Sequence, residues 1–132
     1  MRIVADIEKH LKLSQPLITP ASMLNDDIKN KLINKDLLDF GLEVRKNKFK
    51  FFKNYAHIPC SKVIAYALSV IASGKARKLY LAGFDGFQDD DQRKNLVEEI
   101  FTLFTQFQKD IPIISITETR FNLPKQSIHY DA

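Results

Sequence analysis

Hydrophobic residues recur along this chain with two different periods, and the period assigns the element. In residues 3–13, IVADIEKHLKL, Ile3, Val4, Ile7 and Leu11 recur at helical spacing. A short strand is expected at 16–19. Thr19 and Pro20 then read as the N-cap and first residue of a second helix, with Ile28, Leu32 and Ile33 on its apolar face. Further on the period changes to two. Leu38, Phe40, Leu42 and Val44 alternate with Asp39, Gly41 and Glu43, the signature of a strand with one buried face. Arg45, Lys46 and Asn47 suit a turn, after which Phe49 and Phe51 alternate with Lys48 and Lys50. Residues 37–53 therefore predict two strands, with the option of an antiparallel edge hairpin. Its lysines would keep the edge from pairing with other chains.

The second half reads differently. Ser61 is the expected N-cap of a helix carrying Val63, Ile64, Ala67, Leu68, Val70 and Ile71, and Gly74 is placed to end it. Small Ala65, Ala72 and Ser73 would let it sit close to a sheet. Two near-continuous apolar runs follow, LYLAGF at 79–84 and IPIISI at 111–116, and such runs fit parallel strands covered on both faces. Between them a helix starts near Asp89, Asp90 and Asp91, whose carboxylates complement the positive end of its dipole. Leu96, Val97, Ile100, Phe101, Leu103, Phe104 and Phe107 give it a wide apolar face. The expectation is an α/β fold: one domain over 1–132, Rossmann-like, with a mostly parallel sheet and helices on both faces.

At 132 residues the chain is long enough for a substantial core. No stretch is apolar enough to span a bilayer, and the charged N-terminus does not read as a secretory signal. The lone Cys60 forms neither an internal disulfide nor a zinc pattern. Together these predict a cytoplasmic protein without a membrane partner. The net charge of +4 is uneven. Residues 1–60 hold eleven Lys/Arg and seven Asp/Glu, whereas 61–132 hold nine of each. The excess is densest in VRKNKFKFFKN, residues 44–54. Such a run meets nucleic acid or acidic partners, but a solvated strand face is the commoner explanation.

Candidate chemistry concentrates where the two apolar strands end. Ligands of open α/β sheets bind outside the carboxyl ends of the strands. Those ends are Gly83-Phe84-Asp85-Gly86 and Thr117-Glu118-Thr119-Arg120. Glycine lets a ligand approach the backbone closely. Asp85 can accept hydrogen bonds from hydroxyls. Thr117, Thr119 and Arg120 can donate to a carboxylate or phosphate, arginine in bidentate fashion. The plain alternative is that Asp85 caps a turn and Gly86 makes a bend, since GFDG is neither a dinucleotide fingerprint nor a P-loop. No cofactor is called for. His10, His57 and His129 show no metal spacing, the three consecutive aspartates point in different directions, and no metal site is expected. Cys60 ahead of a helix is a candidate thiolate, though an inert buried thiol is the commoner case.

The pieces PLITP, LLDFGLEV, IPCSKVIAYALSVIASGKARKLYLAGFDGF, the DD-x-R of Asp90-Asp91-Gln92-Arg93, ITETRF and SIHY resemble the C-terminal domain of aldolase-like proteins (HMG-CoA-lyase-like) encoded in bacterial surface-polysaccharide clusters. LAGFDGF is also similar to a strand-to-loop segment of bacterial sialyltransferases. The resemblance implies a Rossmann-type module and an acidic-sugar or nucleotide-sugar context. Two positions depart from the pattern, Glu118 and Gln92, where proline would be expected. A barrel of typically about 250 residues has no room here, so no catalytic or metal residue carries over. The resemblance also starts late in the module, which implies a remnant, a separately encoded half or a stand-alone domain.

The function so implied is an accessory or binding module in surface-sugar biosynthesis. Gly83, Asp85 and Gly86 would form the floor of its site, Thr117, Thr119 and Arg120 would hold the anion, and Ser127 and Tyr130 would close over it. Whether it is an enzyme stays open. A sialyltransferase-like fragment would need His57 or His129 as a base beside Asp85. A third reading is an interaction module docking an aldolase-type partner or a second copy of itself. Nucleic acid ranks last as a partner, because strict alternation would bury Phe49, Phe51 and Phe52 away from bases.

Overall fold

The computed structural model describes residues 2–129, with side chains from Ile7 onward, and is a mixture of helices and strands. By internal contacts the chain divides into two compact units, Met1–Leu42 and Glu43–Ala132.

The first unit opens with α1 (Arg2–Leu11) and β1 (Leu17–Thr19), both where the periodicity put them. The Ile3 and Val4 side chains of the expected α1 face lie outside the described set. The Thr19–Pro20 helix start is not observed. Pro20 leads instead into a single 3-10 turn, Ala21–Met23, and α2 (Asp26–Lys31) begins one step later. Its cap is Asn25, whose side-chain oxygen accepts from the Ile28 N–H at 3.0 Å. Of the expected face, Leu32 is buried but Ile33 is 78 % exposed, because α2 ends before Ile33 can turn inward. β2 (Leu37–Asp39) pairs parallel with β1 in the register Leu17↔Leu37, Ile18↔Leu38, Thr19↔Asp39. Two bonds fix the exits of this pair. Asp39 Oδ1 accepts from the Ala21 N–H at 2.9 Å, and the Phe40 N–H donates to the Thr19 carbonyl at 3.1 Å.

The single strand expected over residues 38–44 is broken at Phe40 into β2 and β3 (Gly41–Val44). Of its four apolar alternates only Phe40 is fully buried, while Leu38 and Val44 are half exposed. The hairpin is also displaced. β4 is short (Lys50–Phe51), and its antiparallel partner is β5 (Tyr55–Ile58), a strand hidden in YAHI. β5 is the centre of a three-stranded sheet in the order β3-β5-β4. Phe49, Ala56 and Ile58 are buried, and α3 (Val63–Ser73) packs on β5 and β4 and against α4 (Gln92–Phe107). The first turn of α3 departs from expectation: Lys62, not Ser61, occupies the cap, without a side-chain bond, and Val63 points outward. Gly74 does end α3. The core of this unit joins Leu68 of α3 and Ile100 and Phe104 of α4, with Phe104 edge-on to Phe49 at 5.6 Å.

β6 (Leu79–Leu81) and β7 (Ile113–Ser115) run parallel on either side of α4 in sequence, paired Leu79↔Ile113 to Leu81↔Ser115. Parallel pairing agrees with the two apolar runs. Cover on both faces does not: Tyr80 is 43 % exposed, with the Lys78 ammonium 5.6 Å from its ring centre. β7 also has a neighbour on its other side. Ser115 N–H donates to the Pro124 carbonyl at 2.8 Å, and Gln126 N–H to the Ser115 carbonyl at 2.9 Å. Among the described residues the strands form three small sheets.

Candidate functional site

The exits of β6 and β7 meet. Ile116 N–H continues the ladder to the Leu81 carbonyl at 2.9 Å. One step out, Gly83 N–H donates to Thr117 Oγ1 at 2.9 Å. Further out, Arg120 N–H donates to the Asp85 carbonyl at 2.8 Å. Both glycines of the first exit have positive φ, 68° at Gly83 and 94° at Gly86. At Gly86 a second constraint applies: a Cβ would stand 3.1 Å from Arg120 Cβ and 3.5 Å from the Phe121 ring. A side chain at residue 86 would be strained at this φ and would push the two segments apart by a few tenths of an ångström.

Aromatic packing holds the two exits against α4. Phe84 and Phe121 face each other at 5.7 Å, Phe101 of α4 lies 5.7 Å from Phe121, and Phe87 meets Phe121 edge-on at 6.4 Å. Phe101 and Phe121 are buried. The phenylalanines of GFDGF and ETRF are thus what turns two flexible strand ends into a fixed rim.

A hollow of about 630 Å³ opens on this rim, lined by Asp85, Gly86, Phe87, Gln88, Asp90, Asp91, Arg93 and Arg120. Its charges divide into engaged and free. Asp91 caps α4, accepting from the Arg93 N–H at 2.9 Å, and its carboxylate takes the Arg93 guanidinium at 2.6–3.1 Å. These bonds to Arg93 hold the Asp91 carboxyl below its ordinary range and raise Arg93. The same guanidinium lies 4.5 Å over the Phe87 ring. Asp89 pairs with Lys94 at 2.7 Å, and that hydrogen bond lowers Asp89 and raises Lys94. Arg120 acts on both charges of this pair from a distance. Its guanidinium has no hydrogen bond or ion pair among the described residues, nor have the carboxylates of Asp85 and Asp90. One free cation and two free carboxylates consequently face one hollow. Such a set can hold an anionic group on arginine while the carboxylates accept from hydroxyl or amino groups.

Not every expected site residue comes to this hollow. Gly83 lines a neighbouring apolar recess with Phe84 and Val97. The Thr117 hydroxyl oxygen accepts from Gly83, and that of Thr119 from the Phe121 N–H at 3.2 Å, so both brace backbone. Thr117 and Ser127 line a separate hollow of about 320 Å³, beside the Glu118–Lys125 ion pair at 3.1 Å. Tyr130 lies outside the described residues. His57 is elsewhere, its Nε2 3.2 Å from Glu43 and its ring beside Phe52 and Tyr55; the His129 N–H donates to Ser127 Oγ at 3.3 Å. Neither histidine lines the hollow with Asp85. Cys60 is half-buried on another hollow, with Lys46 and Glu99. Arg93, Asp90 and Phe87 were not singled out as site residues from the sequence. Their signal was the D-D-x-R spacing, which puts a cap and its arginine on the first turn of a helix directly after the glycine loop.

Among the described residues, no group of three or more His, Cys, Asp or Glu is arranged to hold a metal ion, and no helix is long and apolar enough to cross a membrane. Neither a protein-family model, nor a curated protein, nor a solved structure matches the chain.

Proposed function

We propose that the hollow at the β6–β7 exits binds an acidic sugar or nucleotide sugar, and that the chain is a binding or accessory module of bacterial surface-sugar biosynthesis in the cytoplasm. The observation that carries this reading is the juxtaposition of Asp85 and Arg120, joined backbone to backbone at 2.8 Å with both side chains left unengaged. In it Arg120 takes the ligand's carboxylate or phosphate, Asp85 and Asp90 accept from its hydroxyls, and the Arg93–Phe87 stack walls one side. The parallel β6-α4-β7 unit is read as part of a Rossmann-like arrangement, with the ligand at its carboxyl edge.

Calorimetric titration of the chain with CMP, CMP-sialic acid and free sialic acid tests this. Saturable heat is expected with at least one of them, weakened about tenfold or more by Arg120→Ala, because a charged hydrogen bond is lost. No heat with any of the three at millimolar ligand ends the proposal.

A second reading, docking to an aldolase-type partner or a second copy, draws on the first unit. Ile18 and Leu38 are cross-strand partners, 41 % and 50 % exposed. Light scattering checks the self-association branch: a strict monomer at high concentration removes it.

A further inference from the structure

The basic run of residues 45–62 contributes no residue to the lining of the hollow. It holds six Lys/Arg and no Asp or Glu. Only Arg45 is in an ion pair, with Glu43; Lys46, Lys48, Lys50, Lys53 and Lys62 have none among the described residues.

The phenylalanines of this run do not all point inward. Phe49 is buried and continues the inner row, with Ala56 and Ile58 on the partner strand. The register Lys50↔His57, Phe51↔Ala56 then puts the next residue, Phe52, on the lysine side. The doublet Phe51-Phe52 sends one ring to each face. Phe52 stacks on Tyr55 at 4.2 Å and 9°, and the Lys50 ammonium covers Phe52 at 5.1 Å. The His57 ring adjoins both, 5.3 Å from Phe52 and 6.2 Å from Tyr55. Tyr55 is 44 % exposed. Glu43, on the adjoining strand β3, is paired with the Arg45 guanidinium, and its other oxygen lies 3.2 Å from His57 Nε2.

A stacked aromatic pair with a half-exposed phenol ring, edged by lysines without ion pairs, matches a chain of alternating π-faces and phosphates. We propose that the outer face of the β4–β5 hairpin binds single-stranded nucleic acid, with a base continuing the stack on Tyr55 and phosphates meeting Lys48, Lys50 and Lys53. An acidic peptide would use the lysines but leave the ring face idle.

The test is fluorescence anisotropy of labelled dT and U decamers with the full chain across a salt series. With about three phosphates neutralised, log K should fall with log salt at a slope near −2. Tyr55→Ala should weaken binding about five- to hundred-fold at every salt with the slope unchanged, whereas Tyr55→Phe should retain it. Lys48→Gln with Lys53→Gln, a surface change that leaves Lys50, Phe52 and Tyr55 untouched, should flatten the slope by about 1.4. Circular dichroism of each variant checks that the fold is kept. The proposal is overturned by absence of binding at low salt, by a slope unmoved in the lysine variant, or by equal affinity for polyglutamate that Tyr55→Ala does not change.

Discussion

Among the described residues two parallel strand pairs have the same length, and they are finished in different ways. β1–β2 and β6–β7 each pair over three residues in simple register. In β1–β2 the central partners, Ile18 and Leu38, are both half exposed, and the exits are held by one aspartate side chain and one backbone bond. In β6–β7 the flanking Ile113 and Ser115 are buried, and the exits are held by three hydrogen bonds and four phenylalanines. Pairing strands is therefore the lesser part of fixing a strand exit. Packing beneath the exits decides whether their polar groups have fixed positions.

This contrast yields four expectations. The largest effect should come from Phe121→Ala, which removes the ring touching Phe84, Phe87 and Phe101. A loss of about 3–5 kcal/mol is expected by urea unfolding. Gly86→Ala comes next, at about 1–3 kcal/mol, because an L side chain at φ 94° is strained and crowds Arg120. It should also distort the hollow, read as weakened ligand heat at temperatures where the variant stays folded. Acid should act on the second pair's rim through Asp89 and Asp91. Their folded-state pKa values are lowered, so the stabilisation they give is complete above the ordinary value of 3.8 and is lost as pH falls through the lower folded values. An acid titration followed by circular dichroism should show this transition, diminished in Asp89→Asn/Asp91→Asn. The smallest change is expected for Leu38→Ala, within about 0.5 kcal/mol, since half of that side chain is already in water. A loss at Leu38 equal to that at Phe121 would break the comparison.

The sequence carried α1, α3, α4 and the two apolar strands, because their patterns extend over enough residues to be distinctive. It did not carry β5: YAHI is four residues long, lies between a turn and a proline, and has only two buried positions. It overstated the 38–44 strand, since alternation persists across a break at Phe40 and period alone does not detect a break. The Asn25 cap is masked by Thr19-Pro20, whose Thr19 offers the same chemistry six residues earlier but which opens only a 3-10 turn. At the site, Asp85, Gly86 and Arg120 were legible because both strand ends could be located. The bracing roles of Thr117 and Thr119 were not, for a hydroxyl's partner depends on how the loop folds back. Phe52 shows the same limit. Two adjacent aromatics must occupy opposite faces of a strand, and counting every second residue from Phe49 conceals the one that faces out.

The bonds from Ser115 to Pro124 and Gln126 have one more consequence. They clasp the Arg120 segment at its far end to the strand from which it departs. The segment is therefore a closed bight, and most of the entropy of ordering it is spent when the chain folds. A ligand arriving at Arg120 would meet a receptor already in its binding shape and would have only the guanidinium's own rotors left to still.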